Sequence, residues 1–178
     1  MRKTAFVALL AIGLLNANQL FSQTEVQQPF TRKAVGYLSF IIPWVTIQGN
    51  TVTPEFKKAT TIGFPFGVNV LYSETFGFSF EITPSIVAEK SAGKYGSSKT
   101  SNVLFDPGPM FRFKHGFTII SRLAFETGGR YGVTPVFNQV VARTKFVNYF
   151  LALSAPMRVG NNAPPSIGAN MQIGFTFN

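Results

Sequence analysis

Apolar residues recur at every second position through much of the chain. From Thr60 to Tyr72, Ile62, Phe64, Phe66, Val68, Val70 and Tyr72 alternate with Thr61, Gly63, Pro65, Gly67, Asn69 and Leu71. Successive strand side chains point to opposite faces, so this period of two predicts one continuously apolar face and one that is mostly small or polar. After Ser73-Glu74-Thr75, Phe76, Phe78, Phe80, Ile82 and Ile86 alternate with Gly77, Ser79, Glu81, Thr83 and Ser85, which completes a hairpin. A second hairpin places Val103, Phe105, Phe111 and Phe113 on one face. Beyond its Lys114-His115-Gly116 turn follow Phe117, Ile119, Leu123 and Phe125. Val147, Tyr149, Leu151, Leu153, Ala155 and Met157 form the next apolar face, and the Asn161-Asn162-Ala163-Pro164 turn leads to the last strand. There Ile167, Ala169, Met171, Ile173, Phe175 and Phe177 oppose Ser166, Gly168, Asn170, Gln172, Gly174 and Thr176.

A first strand over Ala34 to Ile42 brings the number to seven. Single-chain bacterial barrels carry even strand numbers, with short periplasmic turns and longer external loops. Parity therefore asks for an eighth strand between Gly128 and Lys145, placed at Tyr131 to Val141. Short links then fall at 73–75, 114–116 and near 142–145, and the longer segments Trp44 to Ala59 and Ala88 to Thr100 fall on the opposite side. Pro65, Pro84, Pro107, Pro109 and Pro156 lie inside these strands, and each removes a ladder donor, so bulges or strand ends must absorb them.

Composition turns this sheet toward lipid. Only 13% of residues are charged, about half the usual share near 25%, and 15% are aromatic, with twenty Phe. No run after the N-terminus approaches the roughly 18 apolar residues of a membrane helix. A soluble sandwich would cover its apolar face with a second sheet and charge the other. Here the polar face is Gly, Ser, Thr and Asn, which suits a lumen, while the apolar face suits acyl chains and closure pairs every backbone amide. The fold class expected is all-β, a transmembrane antiparallel up-and-down β-barrel of eight strands. Trp44, Tyr72, Phe76 and Phe113 suit the interfacial girdles. A soluble lipocalin-like barrel alternates too, with the Phe-rich face turned inward around an apolar ligand, and alternation alone leaves it open.

Met1-Arg2-Lys3, the apolar stretch Ala5 to Leu15 and the small or polar residues from Asn16 to Gln23 read as a secretory signal peptide. Eleven apolar residues are too few for a spanning helix, which needs about 20. Residues 1–22 form the expected signal, cleaved after Ser22, with Ala17 as the rival boundary. Residues 23–32 are then an N-terminal periplasmic segment and 33–178 the outer-membrane barrel. Loss of Arg2 and Lys3 leaves fourteen basic against seven acidic side chains, a formal +7 that favours an anionic partner. Cysteine is absent, which excludes a disulfide scaffold, zinc–thiolate sites and a Cys nucleophile.

The strands from about residue 33 to 178 resemble the small outer-membrane barrel families, the OmpX-like and OmpA-barrel-like proteins, in particular their Bacteroidota-type members. The terminal strand Gln172-Ile173-Gly174-Phe175-Thr176-Phe177 carries the resemblance most specifically. It is similar to the C-terminal signal read by the barrel-assembly machinery, with Phe175 and Phe177 as its aromatic residues. Asn178 departs from the pattern, which usually ends on the aromatic residue.

Candidate chemistry lies on the polar parity. Glu81, Asp106, Arg112, Arg122, Glu126 and Arg158 all oppose the Phe-rich face, and a basic residue facing lipid at mid-depth costs about 2–4 kcal/mol. They are expected to point into the lumen, as an internal salt-bridge network closing a narrow barrel or, alternatively, as an ion or proton path. An eight-stranded interior is just wide enough for side chains to fill. Lys57, Lys58, Lys90, Lys94 and Lys99 mark the two long loops as basic, suited to solvent or to lipopolysaccharide, a surface glycan or an unidentified protein partner. Nucleic acid is a poor fit at a cell surface. The lone His115 sits in a turn with Lys114 and Gly116, and Ser121 lacks a third partner for nucleophilic catalysis. Gly93 to Ser98 lack the GKS/T run of a phosphate loop. No cofactor or metal is expected. The function expected is a non-enzymatic barrel with a structural or surface-interaction role, the alternatives being a narrow channel for ions or very small solutes and a lipid-modifying enzyme.

Overall fold

The computed structural model describes residues 30–55, 61–91 and 94–177, with the backbone alone for 89–91 and 94–99. The expected signal peptide, most of the segment 23–32 and the loop lysines Lys57 and Lys58 lie outside the described residues. Twelve strand segments follow in order: β1 (Lys33–Gln48), β2 (Thr51–Pro54), β3 (Thr61–Gly63), β4 (Phe66–Leu71), β5 (Phe76–Ser91), β6 (Lys94–Phe105), β7 (Gly108–Arg112), β8 (Phe117–Glu126), β9 (Arg130–Arg143), β10 (Val147–Ser154), β11 (Met157–Gly160) and β12 (Ser166–Phe177).

These segments make eight staves of one closed antiparallel ring. β1 pairs with β2, β3 and β4 on one side. β3 and β4 pair with β5, β5 with β6 and β7, and these with β8. β8 pairs with β9, β9 with β10 and β11, and both with β12. β12 then returns to β1 over Tyr37↔Thr176 to Gln48↔Ser166, which closes the ring. The eighth strand expected at Tyr131 to Val141 is β9.

Proline explains why twelve segments make eight staves. Pro65, Pro107 and Pro156 each occupy a break, between β3 and β4, β6 and β7, and β10 and β11. Their missing N–H ends the local ladder, but their carbonyls still accept from the next stave: Ser39 N to Pro65 O at 2.9 Å, Leu123 N to Pro107 O at 2.8 Å and Gly168 N to Pro156 O at 2.8 Å. Pro84 and Pro109 stay inside β5 and β7, and the Pro84 carbonyl accepts from Phe64 N at 3.0 Å.

Two expected boundaries need correction. The first strand runs to Gln48 rather than Ile42, and a two-residue turn at Gly49-Asn50 sends it back as β2. Much of the stretch 88–100 is likewise paired backbone, β5 against β6 out to Ser91↔Lys94, rather than a loop. A spanning strand needs about 9–11 residues, whereas β1 and β5 have 16 each. The excess stands beyond the lipid-crossing length, where an outward side chain has no need to be apolar. The alternation therefore fades while the ladder continues.

The polarity is inverted relative to a water-soluble domain. Leu123, Phe125 and Leu153 are about half exposed on the outside, at 54%, 51% and 52%, while Glu81, Asp106 and Arg122 inside are at 3% or less. The Phe-rich face thus points outward, the reverse of the lipocalin-like arrangement. Acyl chains are the solvent such a surface requires, and the chain is a membrane-embedded barrel. Girdle aromatics meet in pairs near the short turns: Tyr72 stacks on Phe76 at 6.2 Å, Phe76 meets Phe111 at 5.7 Å and Phe113 meets Phe117 at 5.7 Å. Trp44 is exposed as well.

Candidate functional site

The lumen is built by pairing large side chains with glycine on neighbouring staves. Tyr37, Gly67 and Glu81 share one row, with Tyr37↔Gly67 across β1 and β4 and Gly67↔Glu81 across β4 and β5. A Cβ on Gly67 would lie 2.6 Å from Tyr37 Oη, so only glycine lets the phenol cross that stave to reach Glu81. Phe150 similarly covers Gly174, its Cζ 2.6 Å from where a Cβ would stand. The Gly-rich polar parity therefore makes room for a few large inward groups.

Those groups converge on Arg122. Its Nη1 lies 2.8 Å from Glu81 Oε2 and 3.9 Å from Asp106 Oδ2. Its Nη2 donates to Tyr37 Oη at 3.0 Å and Ser79 Oγ at 3.3 Å. Tyr37 Oη donates to Glu81 Oε2 at 2.7 Å, and Thr83 Oγ1 to Glu81 Oε1 at 3.1 Å. On the adjoining wall Gln172 Nε2 donates to Ser39 Oγ at 2.7 Å. The residues of this plug are all buried. A buried ion pair keeps its charge only when hydrogen bonds satisfy its remaining valences, and Glu81 is satisfied on both oxygens.

A second cluster stands toward the end opposite the short turns. Arg158 Nε bonds Glu126 Oε1 at 2.8 Å, and its Nη1 donates to the carbonyls of Val133 and Met157. Arg130 Nη2 ties the same end together through Arg158 O, Pro164 O and Ser166 Oγ.

Of the six charges expected in one lumen network, the structure brings Glu81, Asp106 and Arg122 together and pairs Glu126 with Arg158. Arg112 is the correction. It faces the lumen but joins neither cluster, because β7 places it at the turn end, where it lines a cavity of about 410 Å³. Lys90, Lys94 and Lys99 lie on the β5–β6 hairpin rather than in a loop. His115 occupies the single-turn 3₁₀ helix Lys114–Gly116 with φ 62°, held by Gln139 Nε2 donating to its carbonyl at 2.9 Å. Phe175 and Phe177 sit on β12, 5.5 Å apart edge to face. Among the described residues no three His, Asp or Glu side chains gather as a metal set.

The sequence reading passed over Tyr37, Ser39, Gln172 and Arg130. Tyr37 carries a signal in the sequence, since it shares the parity of Ser39 on a strand whose other face carries Leu38 and Phe40. The interior is also less polar than the alternation suggests. Leu71, Met110, Ile120, Val136, Phe150 and Ala152 form an apolar cluster with the Tyr37 ring.

No family model matches the chain, and no curated protein matches it. Among solved structures, the solution NMR structure of the de novo designed TMB2.3 aligns with a TM-score of 0.45 at 10% identity, covering 85% of this chain and 98% of the designed one.

Proposed function

We propose that the protein is an integral outer-membrane barrel of the OmpX-like and OmpA-barrel-like kind, exported by a signal peptide cleaved after Ser22. Its role is non-enzymatic, structural or surface-interacting, with a lumen closed to bulk solute. The observation that carries this reading is the plug: Arg122, Glu81, Tyr37 and Asp106 fill the barrel at 4% exposure or less, and side chains suffice to fill an eight-stranded interior. The long paired hairpins β1–β2 and β5–β6, on the side away from the short turns, are the surfaces that meet lipopolysaccharide or a protein partner in this reading. Lys90, Lys94 and Lys99 are the basic residues of β5–β6, joined by Lys57 and Lys58. Phe175 and Phe177 serve as the signal to the barrel-assembly machinery.

The test is a heat-modifiability gel on the outer-membrane fraction, with a tag on a surface hairpin. An unboiled band of altered mobility in that fraction is the expected result, and a single mobility in the soluble periplasmic fraction would overturn the assignment. Planar-bilayer recording then addresses the lumen. Silent bilayers are expected, while discrete conductance steps that disappear in Arg122→Ala would establish the narrow-channel alternative instead.

A further inference from the structure

The lumen below the plug is open and its charge is one-sided. The cavity of about 410 Å³ at the short-turn end is lined by Lys33, Arg112, Arg143 and His115 and, among the described residues, by no carboxylate. Among the described residues, no ion pair neutralises Lys33, Arg112 or Arg143. Glu74, in the neighbouring turn, is exposed and does not line it. Three cations facing one concavity repel one another, and a partner of opposite charge relieves that repulsion.

The backbone is arranged to produce this. In the β9–β10 ladder Tyr149 opposes Ala142 and Phe150 opposes Val140, so Val141 is an extra residue on β9. Simple alternation from Val140 would carry Ala142 inward and Arg143 outward. The bulge turns Arg143 into the lumen with Val140 instead, which is how bulges re-aim a side chain. Arg143 then lies over the 114–116 turn, where a Cβ on Gly116 would meet its Nη2 at 2.8 Å. Gly116 itself has φ 81°, a conformation that favours glycine. Behind the cations an apolar strip of Val35, Leu71, Met110 and Ile120 alternates with polar Asn69, Thr118, Asn138 and Thr176. The floor leads through a small pocket of about 20 Å³ at Asn69 and Asn138 to Arg122.

We propose that this vestibule binds a small amphiphilic anion, a phosphate ester with a short apolar body, entering from the short-turn end. The guanidinium groups of Arg112 and Arg143 take the phosphate oxygens, for which Arg geometry is suited, Lys33 adds charge, and the apolar body rests on Leu71, Met110 and Ile120. A volume of this size is within the range of about 300–1,000 Å³ usual for small-molecule sites.

The test uses the full protein reconstituted in phosphatidylcholine nanodiscs, with backbone amide NMR shifts of Gly116, Thr118 and Asn138 followed during titration with butyl phosphate. Saturable shifts are expected, weaker with inorganic phosphate and absent with butyltrimethylammonium. Arg112→Gln and Arg143→Gln, each checked for folding by heat modifiability, should each weaken binding by about tenfold, the scale of one charged hydrogen bond. Lys114→Gln should leave it unchanged, since Lys114 does not line the cavity. Doping the disc with phosphatidylglycerol identifies the source: competition with butyl phosphate assigns the site to a leaflet headgroup, and undiminished binding assigns it to a soluble ester. Non-saturating shifts, equal response to the cation, or equal loss in Lys114→Gln would overturn the proposal.

Discussion

Glu81 is the residue on which most of the plug depends. It accepts from Tyr37 and Thr83 and pairs with Arg122 at 2.8 Å, whereas Asp106 reaches the same guanidinium only at 3.9 Å. Asp106 Oδ1 and Arg122 Nε make no hydrogen bond among the described residues, so the Asp106 side of the cluster is the looser one. Glu81→Gln should therefore destabilise the barrel by about 3–5 kcal/mol, the range for breaking a buried pair, and Asp106→Asn by clearly less. Urea unfolding in lipid vesicles, read from the fluorescence of the single Trp44 on the outer face, orders the two variants. Equal losses would mean that Arg122 is held by both carboxylates alike. The inward parity of Glu81 was legible in the sequence. Its partnership with Tyr37 was not, because it depends on Gly67 from the intervening stave, and no local pattern encodes a three-stave row.

At the scale of the element, the staves divide into a portion in lipid and a portion beyond it. Leu123, at 54% exposure in the middle of β8, faces acyl chains; Val52, at 62% on β2, stands on the hairpin above them. Leu123→Arg should cost about 2–4 kcal/mol, and Val52→Arg less than about 0.5 kcal/mol. The same unfolding titration distinguishes them, and similar costs would move the lipid boundary upward. This division also explains which strands could be read from the chain. Where lipid bathes the outer face, as in β12, alternation is strict and the faces are evident. In the β5–β6 extension neither side requires apolar residues, and the paired backbone of Ala88 to Ser91 and Lys94 to Thr100 looks like a loop. Arg143 has a different history: residues 142–145 read as a short link, whereas β9 continues to Arg143, and the extra residue at Val141 turns that side chain inward.

For the whole molecule, the lumen has a direction. From the short-turn end it passes from cations that no carboxylate among the described residues pairs, past a strip of apolar side chains, to the Arg122 plug, and then to the pair of Glu126 and Arg158. Among the described residues the open half thus gathers cations with no carboxylate beside them, while the far half sets Glu126 against Arg158 and ties Arg130 to carbonyls and Ser166, an asymmetry that composition cannot reveal, because the formal charge of the chain is a single number. A barrel closed by side chains at mid-height and open at one end can hold a ligand without passing it.

The seam between β1 and β12 has one more consequence. Leu38 opposes Phe175, and Gly36 lies near the Phe177 ring, so the first and last staves are neighbours in a ring that has no beginning of its own. The order in which the staves are synthesised is then separable from the structure they form. A circular permutant, joined from Asn178 to Lys33 through a short linker and opened at Gly49-Asn50, should refold in detergent with the heat modifiability of the parent. In cells it should insert poorly, because the assembly signal proposed at Phe175 and Phe177 then lies inside the chain. Equal insertion of both forms would show that these two rings matter for closing the circle and carry no address.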